Sequence, residues 1–413
     1  MVGKGIAVIG TQYGDEGKGK IVDYLAEEAD VVVRYQGGAN AGHTLKAGDL
    51  EVITHQIPSG VLRGKIGVIG RGMVIDPFTL KKEIAELREK GFIITPRNLI
   101  IDGGAHLVLP EGIEASKGES GTGRGIAPTY ADKHGKSGLR FYDLADVGRK
   151  SWDKFDTEAR PNLERHRDFL MEHQDLEEFI RLHVPRDLHD LRKSGKNILF
   201  EGAQAVGLDI DAGQYPECTS SNTGVSGILS GSGVSHKDID LVIGVAKAYV
   251  TRVDRNEAGP LVGRMEPEME TMVRDKGGEF GATTSRPRRC GWFDLPLVKH
   301  AIMENGIDKI ILTKMDVLSG IDTIKIMKTI AYDKIGGHPN YIPDAPTLRR
   351  AGPGSWVNMD GWGENIRECR SLGELPRNSR NFVLSLENML GVPVDVSVGP
   401  DREETIISED YWV

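Results

Sequence analysis

The stretch GIAVIGTQYGDEGKGK, residues 5–20, joins an apolar run to a loop that is rich in both glycine and charge. The run at 5–10 predicts a strand buried on both faces, because its apolar residues do not alternate with polar ones. The loop at 10–20 holds four glycines and two lysines, and a helix is expected to follow it. A strand, a glycine loop and a helix start are typical of a phosphate-binding turn. The alternative is a structural turn with solvated lysines.

Further apolar runs share this buried-strand character and lie at 31–35, 66–70, 98–102, 197–202, 241–246, 309–316 and 393–399. Helical patterns separate several of them. Residues 76–91 begin with Asp76 as a helix cap and end at Gly91, and residues 294–306 run from Asp294 to Gly306 in the same way. The alternation predicts an α/β fold, with a large, mostly parallel central sheet flanked by helices, like that of P-loop NTPases.

We expect one domain spanning residues 1–413, with two excursions from the sheet. The stretch 152–194 is highly charged with a helical pattern, and the stretch 338–363 is rich in Pro, Gly and Trp. The first predicts a helical excursion and the second an ordered but irregular surface loop.

Composition excludes several classes of protein. The net charge of −9 argues against nonspecific nucleic-acid binding, which depends on neutralising phosphates. The three cysteines have no CxxC spacing, so neither a disulfide framework nor a zinc site is expected. No apolar run is long enough to span a membrane, and no signal-peptide pattern is seen. We therefore expect a cytoplasmic protein with no nucleic-acid or membrane partner.

The loop at 10–20 departs from the GxxxxGK[ST] pattern of P-loop proteins. Gln12 stands at the first glycine position, and Gly19 replaces the hydroxyl residue that usually holds magnesium. Asp15 is the candidate oxygen ligand in its place. The alternative for Asp15 is a turn-forming aspartate that bonds its own backbone.

A second glycine loop, QGGANAGHT at 36–44, follows the predicted strand at 31–35. The small residues around His43 would let its ring approach a ligand, although a lone histidine is more often structural. Asn40 could donate to a polar ligand, and the carbonyl of Gly42 could join a metal's coordination shell.

The sequence KIILTKMD, residues 309–316, places Lys314 and Asp316 after a buried strand. A carboxylate can accept two parallel hydrogen bonds from the N1–H and 2-amino groups of guanine, whereas adenine presents an acceptor at N1. The element resembles the Asn-Lys-x-Asp motif of GTPases and favours GTP over ATP. A capping role for Asp316 is the alternative.

The segment 278–294 concentrates hydroxyl and guanidinium groups, at Thr283, Thr284, Arg286 and Arg288. In an acidic protein, a cluster of such side chains predicts a small substrate that carries carboxylates or phosphate. A surface loop paired with neighbouring acidic residues is the alternative. Glycine- and hydroxyl-rich loops at 121–133 and 201–224 add Gln204 and Thr219 as polar candidates.

Seven motifs occur here in the order found in the adenylosuccinate synthetase family, which the chain resembles over nearly its whole length: GDEGKGK, QGGANAGHT, TGRGIAPTYADK, EGAQ…DIDAGQYPECTSSNT, ATTSRPRRCGW, LTKMD and SVGPDR. The resemblance implies a ligase that joins L-aspartate to IMP with GTP as co-substrate, through a 6-phosphoryl-IMP intermediate. The products would be adenylosuccinate, GDP and phosphate, in the first committed step from IMP to AMP. It also implies Mg²⁺ dependence and a cytoplasmic homodimer with active sites near the interface.

The resemblance assigns a role to each matching residue. Asp15 matches the general base and His43 the general acid, with Lys18 and Gln204 as further catalytic residues. Asp15 and the carbonyl of Gly42 match the metal ligands. The residues matched to GTP, its phosphates and the cation are Gly14, Asp15, Glu16, Gly17, Lys18, Gly19, Lys20, Gly42, His43, Thr44, Arg288, Lys314, Asp316, Ser397, Val398 and Gly399. Those matched to IMP and aspartate are Asn40, Ala41, Thr122, Lys136, Gln204, Thr219, Ala282, Thr283, Thr284, Ser285, Arg286 and Arg288.

Three departures from the family pattern stand out. Lys136 occupies the position of an arginine that reaches across the dimer to the IMP phosphate, and a lysine lacks the bidentate fork of that arginine. Ser285 replaces a glycine, and the stretch 338–363 matches poorly. Two other functions stay open at this point: a GTP-binding switch without synthetic chemistry, and a relative that uses dGMP in place of IMP. Such relatives tend to lack the loop aspartate, so Asp15 disfavours the second.

Overall fold

The computed structural model describes residues 2–47, 50–117, 122–147, 162–253, 259–281, 286–333, 336–341 and 343–413. Its strands, in chain order, are β1 (Gly5–Gly10), β2 (Val31–Arg34), β3 (His43–Ala47), β4 (Leu50–Thr54), β5 (Ile66–Ile69), β6 (Val74–Ile75), β7 (Leu99–Asp102), β8 (His106–Leu107), β9 (Ile180–Arg181), β10 (Ile198–Glu201), β11 (Leu241–Lys247), β12 (Val250–Arg252), β13 (Arg289–Gly291), β14 (Phe293–Asp294), β15 (Lys309–Thr313), β16 (Thr323–Met327), β17 (Ile330–Tyr332), β18 (Gly336–His338), β19 (Gly352–Pro353), β20 (Trp356–Asp360), β21 (Val394–Ser397) and β22 (Thr405–Ile406).

The α-helices of the same ranges are α1 (Lys18–Leu25), α2 (Pro77–Glu89), α3 (Pro110–Ser116), α4 (Ile126–Gly135), α5 (Asp143–Asp146), α6 (Asn162–Arg165), α7 (Arg167–Glu172), α8 (Val184–Lys193), α9 (Val225–Ser232), α10 (Pro267–Gly277), α11 (Leu295–Asn305), α12 (Ala345–Arg349) and α13 (Arg377–Leu390).

In the part of the chain that the structure describes, ten strands form one large sheet. Their order is β22-β21-β15-β11-β1-β10-β2-β5-β7-β9. Its pairs β10–β2, β2–β5, β5–β7, β11–β15 and β15–β21 are parallel, and β22 runs antiparallel to β21. Every apolar run predicted as a buried strand is a strand of this sheet. The predicted α/β class with a mostly parallel sheet is therefore confirmed.

The chain divides into two compact units. Unit 1 comprises residues 1–6, 22–203 and 220–240, and unit 2 comprises residues 7–21, 204–219 and 241–413. Unit 1 has a core that includes the fully buried Leu80, Leu99 and Phe141. Unit 2 has an apolar cluster around Leu297, Met327 and Ile330. That residues 1–413 make one domain stays a prediction.

Two helices begin and end as their sequences predict. Asp76 caps α2 by accepting from the backbone N–H of Phe78 at 3.1 Å, and Gly91 follows the helix with φ +88°. Asp294 caps α11 by accepting from the N–H of Leu297 at 3.0 Å. In both cases a carboxylate satisfies an N–H group that has no partner inside the helix.

The predicted helical excursion at 152–194 is confirmed in part. Residues 152–161 lie outside the described ranges, and the remainder contains α6, α7 and α8. It also contains β9, which the prediction missed and which pairs in parallel with β7 at the edge of the large sheet. A strand of two residues is too short to show the alternation of apolar and polar residues that identifies a strand in a sequence.

The prediction of an irregular loop at 338–363 is wrong for the part that the structure describes. Trp356–Asp360 forms β20, which pairs antiparallel with β16 along five residues. β19 pairs with β17 in a second small sheet. Gly352 and Pro353 are themselves β19, and strands this short have too few residues for their periodicity to reveal them.

Glu83 on α2 is a buried carboxylate that holds the chain beyond β4. It is 5% exposed, and its two oxygens accept from the backbone N–H groups of His55, Gln56 and Ile57 at 2.9–3.2 Å. Burial raises its pKa to about 7, although the three backbone donors act in the opposite direction. Between its ordinary pKa and that value, the folded protein keeps a proton that the unfolded chain has lost. Stability should therefore fall as the pH rises through this window.

Glu83→Gln should remove this pH dependence, because an amide does not ionise. The variant loses one acceptor and should melt below the wild type at pH 4.5. The difference in melting temperature between the wild type and the variant should be smaller by about 3 °C or more at pH 8, where the wild-type carboxylate is charged. Thermal unfolding at the two pH values measures the difference. Glu86→Gln, an exposed change on the same helix, is the control. A gap of equal size at both pH values would contradict the assignment.

Candidate active site

The carboxylate of Glu16 shapes the phosphate loop of unit 2. Its Oε1 accepts from the backbone N–H of Gln12 at 3.1 Å and of Gly14 at 2.8 Å, and its Oε2 pairs with Lys18 Nζ at 2.7 Å. Glu16 is fully buried. Two of the loop's amides therefore bond this carboxylate, which fixes the path of the backbone between them.

Asp15 lies at the turn of this loop in a left-handed conformation, with φ +60°. Such a backbone is uncommon for a residue with a side chain, and it occurs preferentially at functional sites. The flanking Gly14 and Gly17 also have positive φ, of +86° and +83°. Asp15 Oδ2 pairs with Arg288 Nη2 at 2.8 Å, while the Asp15 side chain stays 37% exposed. The structure thus joins two residues that the sequence analysis assigned to the nucleotide.

Glu279 anchors Arg288 from its buried side. Its Oε2 pairs with Arg288 Nη1 at 2.7 Å and with Lys247 Nζ at 2.8 Å, and its Oε1 accepts from the hydroxyl of Tyr249 at 2.6 Å. Burial alone would raise the pKa of Glu279. The charges of Lys247, Lys314 and Arg288, with the hydrogen bond from Lys247, outweigh burial and lower that pKa to about 2. Glu279 is therefore an ionised acceptor that fixes the guanidinium beside Asp15.

Two backbone hydrogen bonds join the two sides of the hydroxyl- and arginine-rich loop beside Glu279 and Arg288. Arg288 N–H donates to Glu279 O at 2.9 Å, and Gly281 N–H donates to Arg286 O at 2.8 Å. The exposed Arg286 therefore stands at the base of the loop. The other predicted residues of this loop, Ala282, Thr283, Thr284 and Ser285, lie outside the described residues.

The predicted guanine element follows β15. Lys314 has φ +61° and its Nζ donates to the carbonyl of Gly277 at 2.8 Å. Asp316 is half-buried in the short 3₁₀ helix Met315–Leu318, and burial raises its pKa in spite of the opposing charge of Lys314. Thr313, at the end of the strand, donates its hydroxyl to the carbonyl of Glu16 at 2.6 Å. This bond connects the guanine element to the phosphate loop.

Lys20, on α1, contacts the turn that follows β21. Its ammonium donates to the hydroxyl of Ser397 at 2.6 Å, to the carbonyl of Gly399 at 2.8 Å and to that of Glu404 at 3.1 Å. Burial lowers its pKa to about 8. Lys20 thus joins α1 to the turn that contains Ser397, the buried Val398 and Gly399.

Gln204 and Thr219 are the other predicted substrate residues of unit 2. Gln204 has φ +55°, and its buried Oε1 has no hydrogen-bond partner among the described residues. A buried amide oxygen without a donor is costly, and it marks a place where a ligand can supply one. Thr219 is half-buried, and its backbone N–H donates to the carbonyl of Leu208 at 2.7 Å.

The second glycine loop belongs to unit 1 and is held from several sides. Asn40 Oδ1 accepts from the N–H of Gly38 at 3.0 Å, and the carbonyl of Ala41 contacts His55 Nδ1 at 2.7 Å. The hydroxyl of Tyr130 accepts from the N–H of Gly37 at 3.0 Å. Gly42 is half-buried at the entry to β3.

His43 is the first residue of β3 and is 7% exposed. Its Nδ1 contacts Oε1 of Glu201, the last residue of β10. Glu201 also accepts from the N–H of Ser59 at 2.8 Å and from the Ser59 hydroxyl at 2.7 Å. The pKa of Glu201 lies below its usual range, because the nearby His43 and Arg34 outweigh the effect of burial.

The remaining predicted residues of unit 1 are Thr122, Lys136 and Thr44. Thr122 is exposed at the start of a described range. Lys136 is exposed and ends α4 with φ +62°, as a C-cap residue. Thr44 follows His43 in the backbone of β3, where it pairs with Ile53.

Three contributors to these sites were not predicted from the sequence: Glu201, Glu279 and Lys247. Glu201 and Lys247 lie at or just after the end of a predicted strand, whereas Glu279 lies at the start of the segment 278–294, near no predicted helix or strand end. A charged residue at the carboxyl end of a buried strand was the available signal for Glu201 and Lys247, because ligand sites of parallel sheets gather there. No comparable signal marked Glu279.

Among the described residues, none of the helices has the length and apolarity needed to cross a lipid bilayer.

Comparison with known proteins matches the whole chain to one family. The profile described as adenylosuccinate synthetase matches residues 7–406. An adenylosuccinate synthetase of Xylella fastidiosa (strain 9a5c) is 42% identical, with 99% of both chains covered. The solved structure of the fully ligated adenylosuccinate synthetase from Plasmodium falciparum is 34% identical, with a TM-score of 0.87 over 98% of this chain and 99% of that one.

A more distant structure shares the fold. The succinoaminodeoxyadenylate synthetase of cyanophage S-2L, bound to dGMP and to dATP as an energy donor, is 22% identical with a TM-score of 0.65 over 99% of this chain and 97% of that one. Members of the matched family are ligases that use IMP, aspartate and GTP. On this whole-chain similarity, the protein belongs to the adenylosuccinate synthetase family.

Proposed function

We propose that this protein ligates L-aspartate to IMP at the expense of GTP, through 6-phosphoryl-IMP, and so forms adenylosuccinate, GDP and phosphate in the first committed step of AMP synthesis. The observation that carries the proposal is the match of residues 7–406 to one synthetase family, with Asp15 present in the phosphate loop. The family match also favours this reaction over a GTP-binding switch.

The chemistry explains why a phosphate donor is needed. The oxygen at C6 of IMP is a poor leaving group, and phosphorylation makes it a good one. Loss of the N1 proton first makes this oxygen nucleophilic. O6 then attacks the γ-phosphorus of GTP, and the bond from that phosphorus to the β,γ-bridging oxygen breaks, releasing GDP. In the second step the neutral amine of aspartate attacks C6, the C6–O bond breaks and phosphate leaves, and the nitrogen loses one proton to the released phosphate or to water.

Asp15 is assigned as the acceptor of the N1 proton. Its side chain is 37% exposed, and its orientation is set by the left-handed backbone and by Arg288. A carboxylate held in this way loses little freedom when a substrate arrives, which is the basis of catalysis by preorganised groups. Lys18, 5% exposed and paired with Glu16, is fixed beside the same loop as the cation for the γ-phosphate.

Asp15 and the carbonyl of Gly42 are assigned to Mg²⁺. Oxygen donors suit this ion, which usually takes one or two carboxylates together with substrate phosphates and water. Asp15 fits such a site, because its carboxylate is partly exposed within a phosphate loop that lacks the usual Ser or Thr. When bound, the ion would neutralise charge on the transferred phosphoryl group.

The other residues matched by the family resemblance are given the following roles. Asp316 accepts from guanine N1–H and the 2-amino group, and Lys314, Ser397, Val398 and Gly399 complete the guanine pocket. Asn40, Ala41, Thr122, Gln204 and Thr219 contact IMP, and the loop 282–286 with Arg288 contacts aspartate. His43 donates to the phosphoryl group as the general acid. We further propose a cytoplasmic homodimer, in which Lys136 stands at the sequence position of the family's cross-dimer arginine.

The reaction itself is tested by a nucleotide panel. Purified protein with IMP, L-aspartate, GTP and Mg²⁺ should show rising absorbance at 280 nm, and omission of any one component should abolish the rise. Phosphate release from GTP without IMP and aspartate would instead support a switch. Product formed with dGMP but not with IMP would support the relative that makes a 2-amino product.

Asp15→Asn should abolish turnover and leave GTP affinity within about tenfold of the wild type, because the amide cannot accept the N1 proton but occupies the same space. Product formation and equilibrium binding of a fluorescent GTP analogue measure the two effects separately. Near-normal turnover in this variant would remove Asp15 from the role of base.

Asp316→Asn should lower the GTP/XTP selectivity ratio about 10- to 100-fold, because the amide can accept only one guanine donor and can itself donate to the oxygen at C2 of xanthine. Values of kcat/KM for the two nucleotides give the ratio. The exposed Asp322, changed to Asn, is the control and should leave it unaltered. An unchanged ratio in Asp316→Asn would show that the guanine pocket lies elsewhere.

A further inference from the structure

Glu201 contacts His43, yet no role for it follows from the family resemblance described above. It ends β10 with 1% of its surface exposed, and Oε1 of its carboxylate contacts Nδ1 of the imidazole. The two residues are separated by 158 positions in the chain. Their contact therefore depends on the pairing of strands rather than on local sequence.

The surroundings of Glu201 keep it an ionised hydrogen-bond acceptor. The Ser59 hydroxyl donates to Oε1 at 2.7 Å, and the Ser59 N–H donates to Oε2 at 2.8 Å. These donors and the imidazole satisfy both carboxylate oxygens. Since an ionised carboxylate can only accept, Nδ1 of His43 must carry the hydrogen in this contact.

Arg34 supplies the balancing charge from the neighbouring strand. In the parallel pair β10–β2, Arg34 is the Cα partner of Glu201, so the two side chains leave the same face of the sheet. Arg34 is fully buried and its Nη1 donates to the carbonyl of His55. Its Nε and Nη2 have no hydrogen-bond partner among the described residues. In a low-dielectric interior, such a guanidinium attracts a nearby negative charge more strongly than it would in water.

We propose that Glu201 is the positioning residue of His43: its carboxylate, fixed by Ser59 and faced by Arg34, holds the Nδ1–H tautomer and the ring orientation with which His43 serves the phosphoryl transfer. The inference rests on the proposed function, which gives His43 its role. A carboxylate behind a histidine acts similarly in many enzymes and metal sites, where it selects the tautomer and restricts the ring.

A purely structural role is the competing explanation. Glu201 also joins the end of β10 to the turn at Ser59, so its removal could loosen unit 1 without any specific effect on His43. The two explanations differ in what they predict for a variant that lacks both Glu201 and His43, and in the state of the imidazole itself.

The test compares Glu201→Gln, His43→Asn and the double variant in the full-length protein. Glu201→Gln should lower kcat by about 100-fold with KM for IMP within about threefold, because orientation rather than binding is lost. The double variant should have a kcat within about threefold of His43→Asn alone, since Glu201 acts through the imidazole. Glu83→Gln, the same change at another buried carboxylate of unit 1, should keep kcat within about threefold of the wild type.

A spectroscopic measurement reads the tautomer directly. In protein labelled with ¹⁵N-histidine, the signal absent from His43→Asn identifies His43, and its Nδ1 should have the shift of a protonated ring nitrogen. That shift should move in Glu201→Gln and stay in place in Glu83→Gln. If Glu201→Gln does not fold, Glu201→Asp keeps the charge, and its shortened reach should lower kcat by about tenfold.

The outcomes separate the two proposals. A kcat for Glu201→Gln within about threefold of the wild type, losses that multiply in the double variant, or an unmoved Nδ1 signal would each overturn the role of Glu201. A wild-type protein that makes no adenylosuccinate would overturn the proposed function instead, while the Nδ1 signal would still report the contact between the two residues.

Discussion

The carboxylate of Glu16 determines the shape of the phosphate loop, and the rest of that site depends on this shape. Fully buried, it accepts from two backbone amides of its own loop and pairs with Lys18. A buried carboxylate with three donors is stable only while all three remain, and removal of one partner from a buried ion pair typically costs about 3–5 kcal/mol. The loop therefore has one favoured conformation. That conformation places Asp15 at a positive φ, where its side chain meets Arg288.

Both units use a buried carboxylate to orient a side chain that is assigned to chemistry. In unit 2, Glu279 fixes the guanidinium of Arg288 beside Asp15. In unit 1, Glu201 contacts the imidazole of His43. Each carboxylate also has further donors, Lys247 and Tyr249 for Glu279 and Ser59 for Glu201. Full satisfaction matters because a partly satisfied charge in a low-dielectric interior would be strongly destabilising.

Local sequence predicted the features that are encoded within a few consecutive residues. The apolar runs predicted the strands, Asp76 and Asp294 predicted two helix starts, and the glycines around Asp15 predicted a tight loop. Lys20 shows the limit of such reasoning. It lies in the phosphate-loop motif, but its partner Ser397 is 377 positions away. Lys20 lies on α1 and Ser397 ends β21, so the tertiary fold brings the two residues together, and no residue pattern within the loop encodes their contact.

The same limit explains why the residues that support the site were missed although the candidate catalytic residues were found. A residue that contacts substrate sits among glycines and hydroxyls, which give its loop a recognisable composition. A supporting carboxylate such as Glu279 or Glu201 sits among ordinary buried residues, and its importance lies in the charge it faces. Glu201 is the Cα partner of Arg34 in the pair β10–β2, a relation fixed by the register of two strands whose paired residues are 167 positions apart (201 − 34) in the chain. Whole-chain similarity identified the family because it samples all of these positions together. The physical reason for each supporting residue becomes visible only when its partners are placed around it.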